Sequence, residues 1–157
     1  MKIRSACNAD GDAVRELVFA VLAEYGLCGD PAGIDADLAD IEASYIVRGG
    51  CFEVVENDDG SLAGCAGMYP SELHCGAIEL RKMYLQKETR GRGLGKQLIE
   101  RAITFARQRG FKRIDLETSS KLIEAIGLYK KYGFQPVVDG QPCGRCDQVM
   151  MLELQSF

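Results

Sequence analysis

Glycines at positions 91, 93 and 95 punctuate a basic stretch, Arg90-Gly91-Arg92-Gly93-Leu94-Gly95-Lys96, that leads straight into a strong helical pattern. Leu94, Leu98, Ile99, Ala102, Phe105 and Ala106 recur on one side of that helix, and Gly110 stands where it should stop. The first amides of a helix have no partner inside it and carry positive partial charge. Glycines that let a ligand come close turn such a junction into a cradle for phosphate groups. Two common phosphate loops do not fit the spacing. A Walker loop has four residues between its first glycine and a Gly-Lys pair followed by Ser or Thr, whereas here three residues separate Gly91 from Gly95, and Gln97 follows Lys96. A dinucleotide fingerprint reads G-x-G-x-x-G at the first strand of its unit, but this loop reads G-x-G-x-G and lies mid-chain.

The rest of the chain alternates between strand and helix periods. Ile3 and Arg4 begin an edge strand, and Asn8 or Asp10 caps a helix carrying Val14, Leu17, Val18, Val21 and Leu22 that ends near Gly26. A weaker helical pattern after Pro31 places Ile34, Leu38, Ile41 and Tyr45 on one side, with Asp35, Asp37, Asp40 and Glu42 as a solvated remainder. Cys51 to Glu56 and Leu62 to Tyr69 flank the turn residues Asn57 to Gly60 and read as a hairpin. From Ile78 to Leu85 a strand pattern alternates Glu79, Arg81, Met83 and Leu85 with Leu80, Lys82 and Tyr84, and its charges are unusual for a strand. Arg113 to Glu117 reads as a strand, Lys121 to Tyr132 as a helix stopped by Gly133, and Phe134 to Val138 and Gln148 to Leu154 as closing strands. With no repeat or linker, residues 1–157 are expected to form one α/β (α+β) domain with a mixed sheet.

Bulk properties narrow the partners. With 19 Lys and Arg against 23 Asp and Glu, the chain has no general attraction for nucleic acid or an anionic membrane, so any anion site must be local. No apolar leader or membrane-length run is present in the sequence, which predicts a cytoplasmic location. The seven cysteines fit reduced thiols better than a disulfide framework. Cys143-Gly144-Arg145-Cys146 has no second ligand pair at metal spacing and reads as structural or incidental, and no metal is expected.

The loop Arg90-x-x-Gly93-x-Gly95 resembles the acyl-CoA loop of the GNAT superfamily of N-acyltransferases, Arg/Gln-x-x-Gly-x-Gly/Ala. The preceding strand, Glu79 to Leu85, is similar to that family's fourth strand. The run Ala125-Ile126-Gly127-Leu128-Tyr129-Lys130-Lys131-Tyr132-Gly133-Phe134 is similar to its late helix. These three ordered motifs cover residues 79 to 134. The resemblance implies a mixed, mostly antiparallel sheet of about six or seven strands flanked by about four helices, splayed between the fourth and fifth strands. It implies acetyl-CoA as acyl donor, with backbone groups of Met83, Tyr84 and Leu85 along the pantetheine arm. The amides of Gly91, Arg92, Gly93, Leu94, Gly95 and Lys96 would hold the pyrophosphate, with Arg90 and Lys96 nearby as solvated charge. A bulge just after Met83 to Leu85 would free backbone groups for that role. Where many relatives carry a cofactor-contacting Asn this chain has Leu122, and Ser119 or Ser120 would substitute.

Acyl transfer to an amine needs a base for the nucleophile and an acid for the leaving thiolate. The resemblance places Tyr129 as that acid, although its helical stripe with Leu122, Ala125, Ile126 and Tyr132 equally describes a core tyrosine. Glu79 and Glu117 both occupy positions that carry a catalytic carboxylate in some relatives, and Glu79 stands first, with Glu117 and a water chain kept open. The implied activity is direct acetyl transfer to a primary amine on a small molecule or a protein. The alternative is an acyl-CoA sensor or interaction domain without turnover. The acceptor cleft would come from residues 20–45 and 139–147, where Glu24, Asp35 and Asp37 would suit a cationic amine. A homodimer is common in the family.

Overall fold

The structure, a computed structural model, describes residues 1–155; Ser156 and Phe157, included in the one-domain expectation, lie outside the described residues. Seven strands form one sheet: β1 (Lys2–Ser5), β2 (Cys51–Glu56), β3 (Leu62–Pro70), β4 (Ala77–Leu85), β5 (Arg113–Thr118), β6 (Gln135–Pro136) and β7 (Gln148–Glu153). Their order is β1-β2-β3-β4-β5-β7-β6, and every neighbouring pair is antiparallel except β4 with β5. That parallel pair needs a crossover, supplied by α2 (Leu94–Gln108). α1 (Gly11–Glu24) and α3 (Ile123–Lys131) complete the α-helices.

Side-chain alternation sorts the core into two halves, one on each face of the sheet. Phe52, Val54, Leu62 and Cys65 face α1, packing with Val14, Val18 and Leu22. Val55, Ala63, Met68, Ile78, Leu80 and Ile114 face α2 and α3, packing with Leu98, Ile99, Ala102 and Tyr129. In α2, Ile103 is buried along with the predicted stripe, while Phe105 is only partly so.

The weak helical pattern after Pro31 does not become one α-helix. It folds as a 3-10 turn, Ala36–Ala39, and a π turn, Glu42–Ile46, which still bury Leu38, Ile41 and Tyr45. Their acidic residues are not all solvated, because Asp35 is 1% exposed. The sixth strand shrinks to Gln135–Pro136, since the chain leaves the sheet soon after Phe134.

Gly67 makes room for this layer. A Cβ there would lie 2.6 Å from Tyr45 Cε1 and 2.8 Å from Phe52 Cδ2, and those two rings meet edge to face at 4.9 Å. We predict that Gly67→Ala lowers unfolding free energy by about 1–3 kcal/mol through overpacking. A denaturant midpoint equal to wild type would refute this.

Candidate active site

β4 and β5 pair only at Ala77–Arg113, Ile78–Ile114 and Glu79–Asp115. Beyond Glu79 the strands diverge, so the splay expected between the fourth and fifth strands is present. On the other edge of β4 the register with β3 shifts: Cys65 faces Tyr84 and Gly67 faces Arg81, leaving Lys82 and Met83 opposite Ala66. This is a β-bulge, and it lies at Lys82 and Met83, upstream of the predicted position. Lys82 has φ 54°, the only positive φ outside glycine among the described residues.

The bulge exchanges the faces of the strand. Before it, Ile78 and Leu80 pack toward α2; after it, Met83 and Leu85 do, so Arg81 and Lys82 both turn toward the α1 side. The bond from the Gln86 amide to the Ala63 carbonyl, 2.8 Å, makes that a hydrogen-bonded position. By alternation the backbone groups of Leu85, and of Met83 before it, point toward the gap beside β5.

A 3-10 turn, Lys87–Thr89, carries the chain from β4 to the glycine loop. Gly93 caps α2 in a left-handed conformation, φ 79°, without a side-chain cap, and the first bond into the helix is from the Gln97 amide to the Gly93 carbonyl at 3.0 Å. The amides of Leu94, Gly95 and Lys96 are therefore the helix's open donors. Gly95 has a packing role, since a Cβ there would lie 3.2 Å from Leu128 Cδ2. Arg92 and Lys96 are exposed. Arg90 corrects the sequence reading: its guanidinium is not solvated charge. It donates to the Leu85 carbonyl at 3.1 and 2.9 Å and to Glu24 at 2.9 Å, which occupies both the Leu85 acceptor and Glu24. Ser120 is corrected too. Its amide and hydroxyl donate to Asp147 at 2.8 and 2.7 Å, whereas Ser119 and Leu122 line the cavity described next.

A cavity of about 500 Å³ opens at the splay. Met83 and Tyr84 border it on one side and Glu117, Thr118 and Ser119 on the other, with Tyr129 also in its wall. Leu27, Asp30, Ile34 and Asp37 meet Cys143 to Cys146 across it, so the two segments assigned to the acceptor cleft do come together. Tyr129 is 6% exposed, and its hydroxyl has no hydrogen-bond partner among the described residues. Burial, with Tyr84 and Cys146 as neighbours, holds that phenol above its ordinary pKa and therefore protonated. Glu79 gives its carboxylate to Arg81 at 3.0 Å. Glu117 accepts the Cys143 amide at 2.8 Å and has no cation partner among the described residues. Burial raises its pKa above the usual glutamate value, Glu79 adds to the rise, and the Cys143 amide, Arg81 and Lys82 oppose it. A partly desolvated carboxylate and a protonated phenol thus line the same cavity.

One wall of the cavity is a buried ion cluster. Arg145 donates to both oxygens of Asp35 at 2.8 and 2.9 Å. Lys82 Nζ lies 3.1 Å from Asp35, 3.3 Å from Asp37 and 3.1 Å from the Ile34 carbonyl. The Tyr45 hydroxyl donates to Asp37, and Arg81 stacks on the Tyr69 ring at 3.8 Å. Asp37 Oδ1 has the Lys82 ion pair but no aligned hydrogen bond.

The Acetyltransferase (GNAT) family matches residues 19–134. The chain belongs to that family. It is 36% identical over 151 residues to an uncharacterized N-acetyltransferase of Escherichia coli, covering 92% of this chain and 90% of that one. A GNAT-family acetyltransferase structure from Staphylococcus aureus superposes with TM-score 0.91 at 22% identity, over 98% of this chain and 99% of that one. The yncA protein of Salmonella typhimurium, solved with its cofactor acetyl-CoA, gives TM-score 0.75 at 26% identity, over 100% and 95% of the two chains. This GNAT acyltransferase has, among its described residues, no helix long and apolar enough to cross a membrane.

Sequence reading missed Lys82 as a member of this GNAT site, and gave Arg145 and Cys146, within the 139–147 segment, no role of their own. The only signal was a pair of adjacent charges, Arg81 and Lys82, inside a strand, because a strictly alternating strand cannot bring both to one face. The cluster has a measurable consequence at Asp35. Burial raises its pKa, but the Arg145 bonds, the Asp30 amide and the Lys82 charge outweigh it and leave the net value below the ordinary aspartate range. A group depressed on folding contributes stability above its unfolded pKa of ~3.9 and loses it as pH falls through the folded value. We therefore predict that the melting-temperature difference between wild type and Asp35→Asn is full at pH 7 and shrinks below about pH 4. A difference that grows on acidification would contradict this assignment.

Proposed function

We propose that this enzyme transfers an acetyl group from acetyl-CoA directly to a primary amine, carried on a small molecule or a protein. The observation that carries the reading is that the strand splay opens a cavity walled by Glu117 and Tyr129, while the strand that borders it, β4, leads through one short turn to the open amides at the start of α2. The residues present fit the donor. Gly91 and Gly93 have positive φ and no atom within 4 Å of a would-be Cβ, so the loop leaves its approach clear. The amides from Gly91 to Lys96 would hold a diphosphate, with Arg92 and Lys96 adding charge. The Met83 to Leu85 backbone would take an extended amide-bearing arm, and the Leu85 carbonyl is already satisfied by Arg90. Arg90 then acts by fixing the loop rather than by touching phosphate.

When bound, acetyl-CoA supplies an activated acyl group on a thiol leaving group. Glu117 takes a proton from the incoming ammonium or amine, directly or through water, its burial making it more basic than an ordinary glutamate. Burial keeps its pKa high, and Glu79, paired with Arg81, adds to the rise. Tyr129 keeps its proton in the resting site and delivers it to the departing sulfur. The Leu122 side chain offers no polar contact, and Ser119 supplies a hydroxyl in the wall.

The test pairs acetyl-CoA with a panel of an α-amino acid, a polyamine, an aminoglycoside and a peptide amine, following thiol release. At least one should be consumed, and calorimetry that finds no acetyl-CoA binding would overturn the reading. Tyr129→Phe should lower kcat by roughly 100-fold with acetyl-CoA affinity within about twofold of wild type. For Glu117, activity should fall as the carboxylate protonates on the acid side, at a pH above the ordinary glutamate value, and Glu117→Gln should remove that limb. Should Glu79→Gln alone abolish the limb, the base would be Glu79.

A further inference from the structure

The loop between β6 and β7 is fastened at its end by backbone and side-chain bonds. The Asp147 amide donates to the Thr118 carbonyl at 3.0 Å, and Ser120 donates twice to the Asp147 carboxylate. Its middle reaches across the cavity, where Arg145 and Cys143 hold it. Arg145 grips Asp35, which is 1% exposed and itself fixed by Lys82 and by the Asp30 amide at 2.8 Å. Cys143 donates its amide to Glu117 Oε1. Both residues belong to one tight turn, closed by the Cys146 amide on the Cys143 carbonyl at 3.3 Å and permitted by Gly144 at φ 62°. The turn rests on Ile34, whose carbonyl receives the Lys82 ammonium. Moving one residue of so short a turn moves the other.

We propose that Arg145 is a positioning residue for Glu117: by gripping Asp35 it holds the 143–146 turn where the Cys143 amide meets the Glu117 carboxylate. The hydrogen bond favours the ionised carboxylate against the burial that disfavours it, so the distant ion pair sets how basic the site is. The groups that face Glu117 are Glu79, Arg81 and Lys82 from β4 and Cys146 from the turn, and none of them supplies a hydrogen bond to it. The Cys143 amide is thus the contact through which the turn acts. Arg145 touches neither Glu117 nor Tyr129 among the described contacts, so its effect is indirect.

This inference rests on Glu117 as the proposed base, but its test needs no substrate and can fail while acetyl transfer stands. The side-chain carboxyl carbon of Glu117 is titrated by NMR in the free protein, with the signal assigned by Glu117→Gln. In Arg145→Gln the midpoint should rise by about one pH unit. Arg145→Lys keeps the charge but lacks the bidentate fork, so it should give a smaller rise. Cys143→Pro removes the amide donor and leaves every charge in place, so it should reproduce the Arg145→Gln rise, and adding Arg145→Gln to it should raise the midpoint no further, which excludes a direct charge effect. An unmoved midpoint in folded Arg145→Gln overturns the proposal. If that variant does not fold, Arg145→Lys carries the test, and an unmoved midpoint there overturns it equally. A rise in Arg145→Gln with none in Cys143→Pro also overturns it, because the effect would then be through space.

Discussion

At Lys82 the sheet gives up its regular backbone, and the rest of the site depends on what holds that residue there. A side chain at φ 54° costs about 1–2 kcal/mol relative to an ordinary conformation. Asp35, Asp37 and the Ile34 carbonyl all bind its ammonium, and this offsets the cost. Because a bulge adds one residue to one strand, alternation is reversed beyond it. Arg81 and Lys82 therefore share a face, Met83 and Leu85 turn to the helical side, and β4 is free to part from β5 after Glu79. The cavity is the space that this parting leaves.

The electrostatics follow from the same geometry. Buried charges are tolerable only when paired and hydrogen-bonded, and here Asp35 and Asp37 are matched by Lys82, Arg145 and Arg81. Glu117 stands apart from this balance, with a backbone amide as its partner, and so keeps a basicity that a salt-bridged carboxylate would lose. Tyr129 is desolvated and, among the described residues, its hydroxyl has no hydrogen-bond partner, which preserves its proton. One wall of the cavity is thus neutralised by ion pairs, and another carries Glu117 and Tyr129.

Several elements were legible because their causes are local. The α2 stripe, its glycine start and the hairpin around Asn57 to Gly60 need only periodicity and turn chemistry. The family resemblance located the splay and brought Tyr129, Glu79 and Glu117 together in the same cavity. Other assignments failed where a partner distant in sequence intervened. Arg90 was claimed by Glu24 and the Leu85 carbonyl, and Ser120 by Asp147. Asp35 looked like ordinary exposed charge until Arg145, 110 residues away, was found on it.

The sequence by itself determined the order of the strands and of the three α-helices along the chain, and the anion-ready start of α2, because hydrophobic period, glycine placement and helix-terminal amides act over a few neighbouring residues. Only the tertiary structure decided which carboxylates are free and which are bound, where the bulge falls, and what the Cys143 to Cys146 segment does. Those outcomes depend on burial and on contacts between segments far apart in the chain, and neither desolvation nor a pairing partner is written in local spacing.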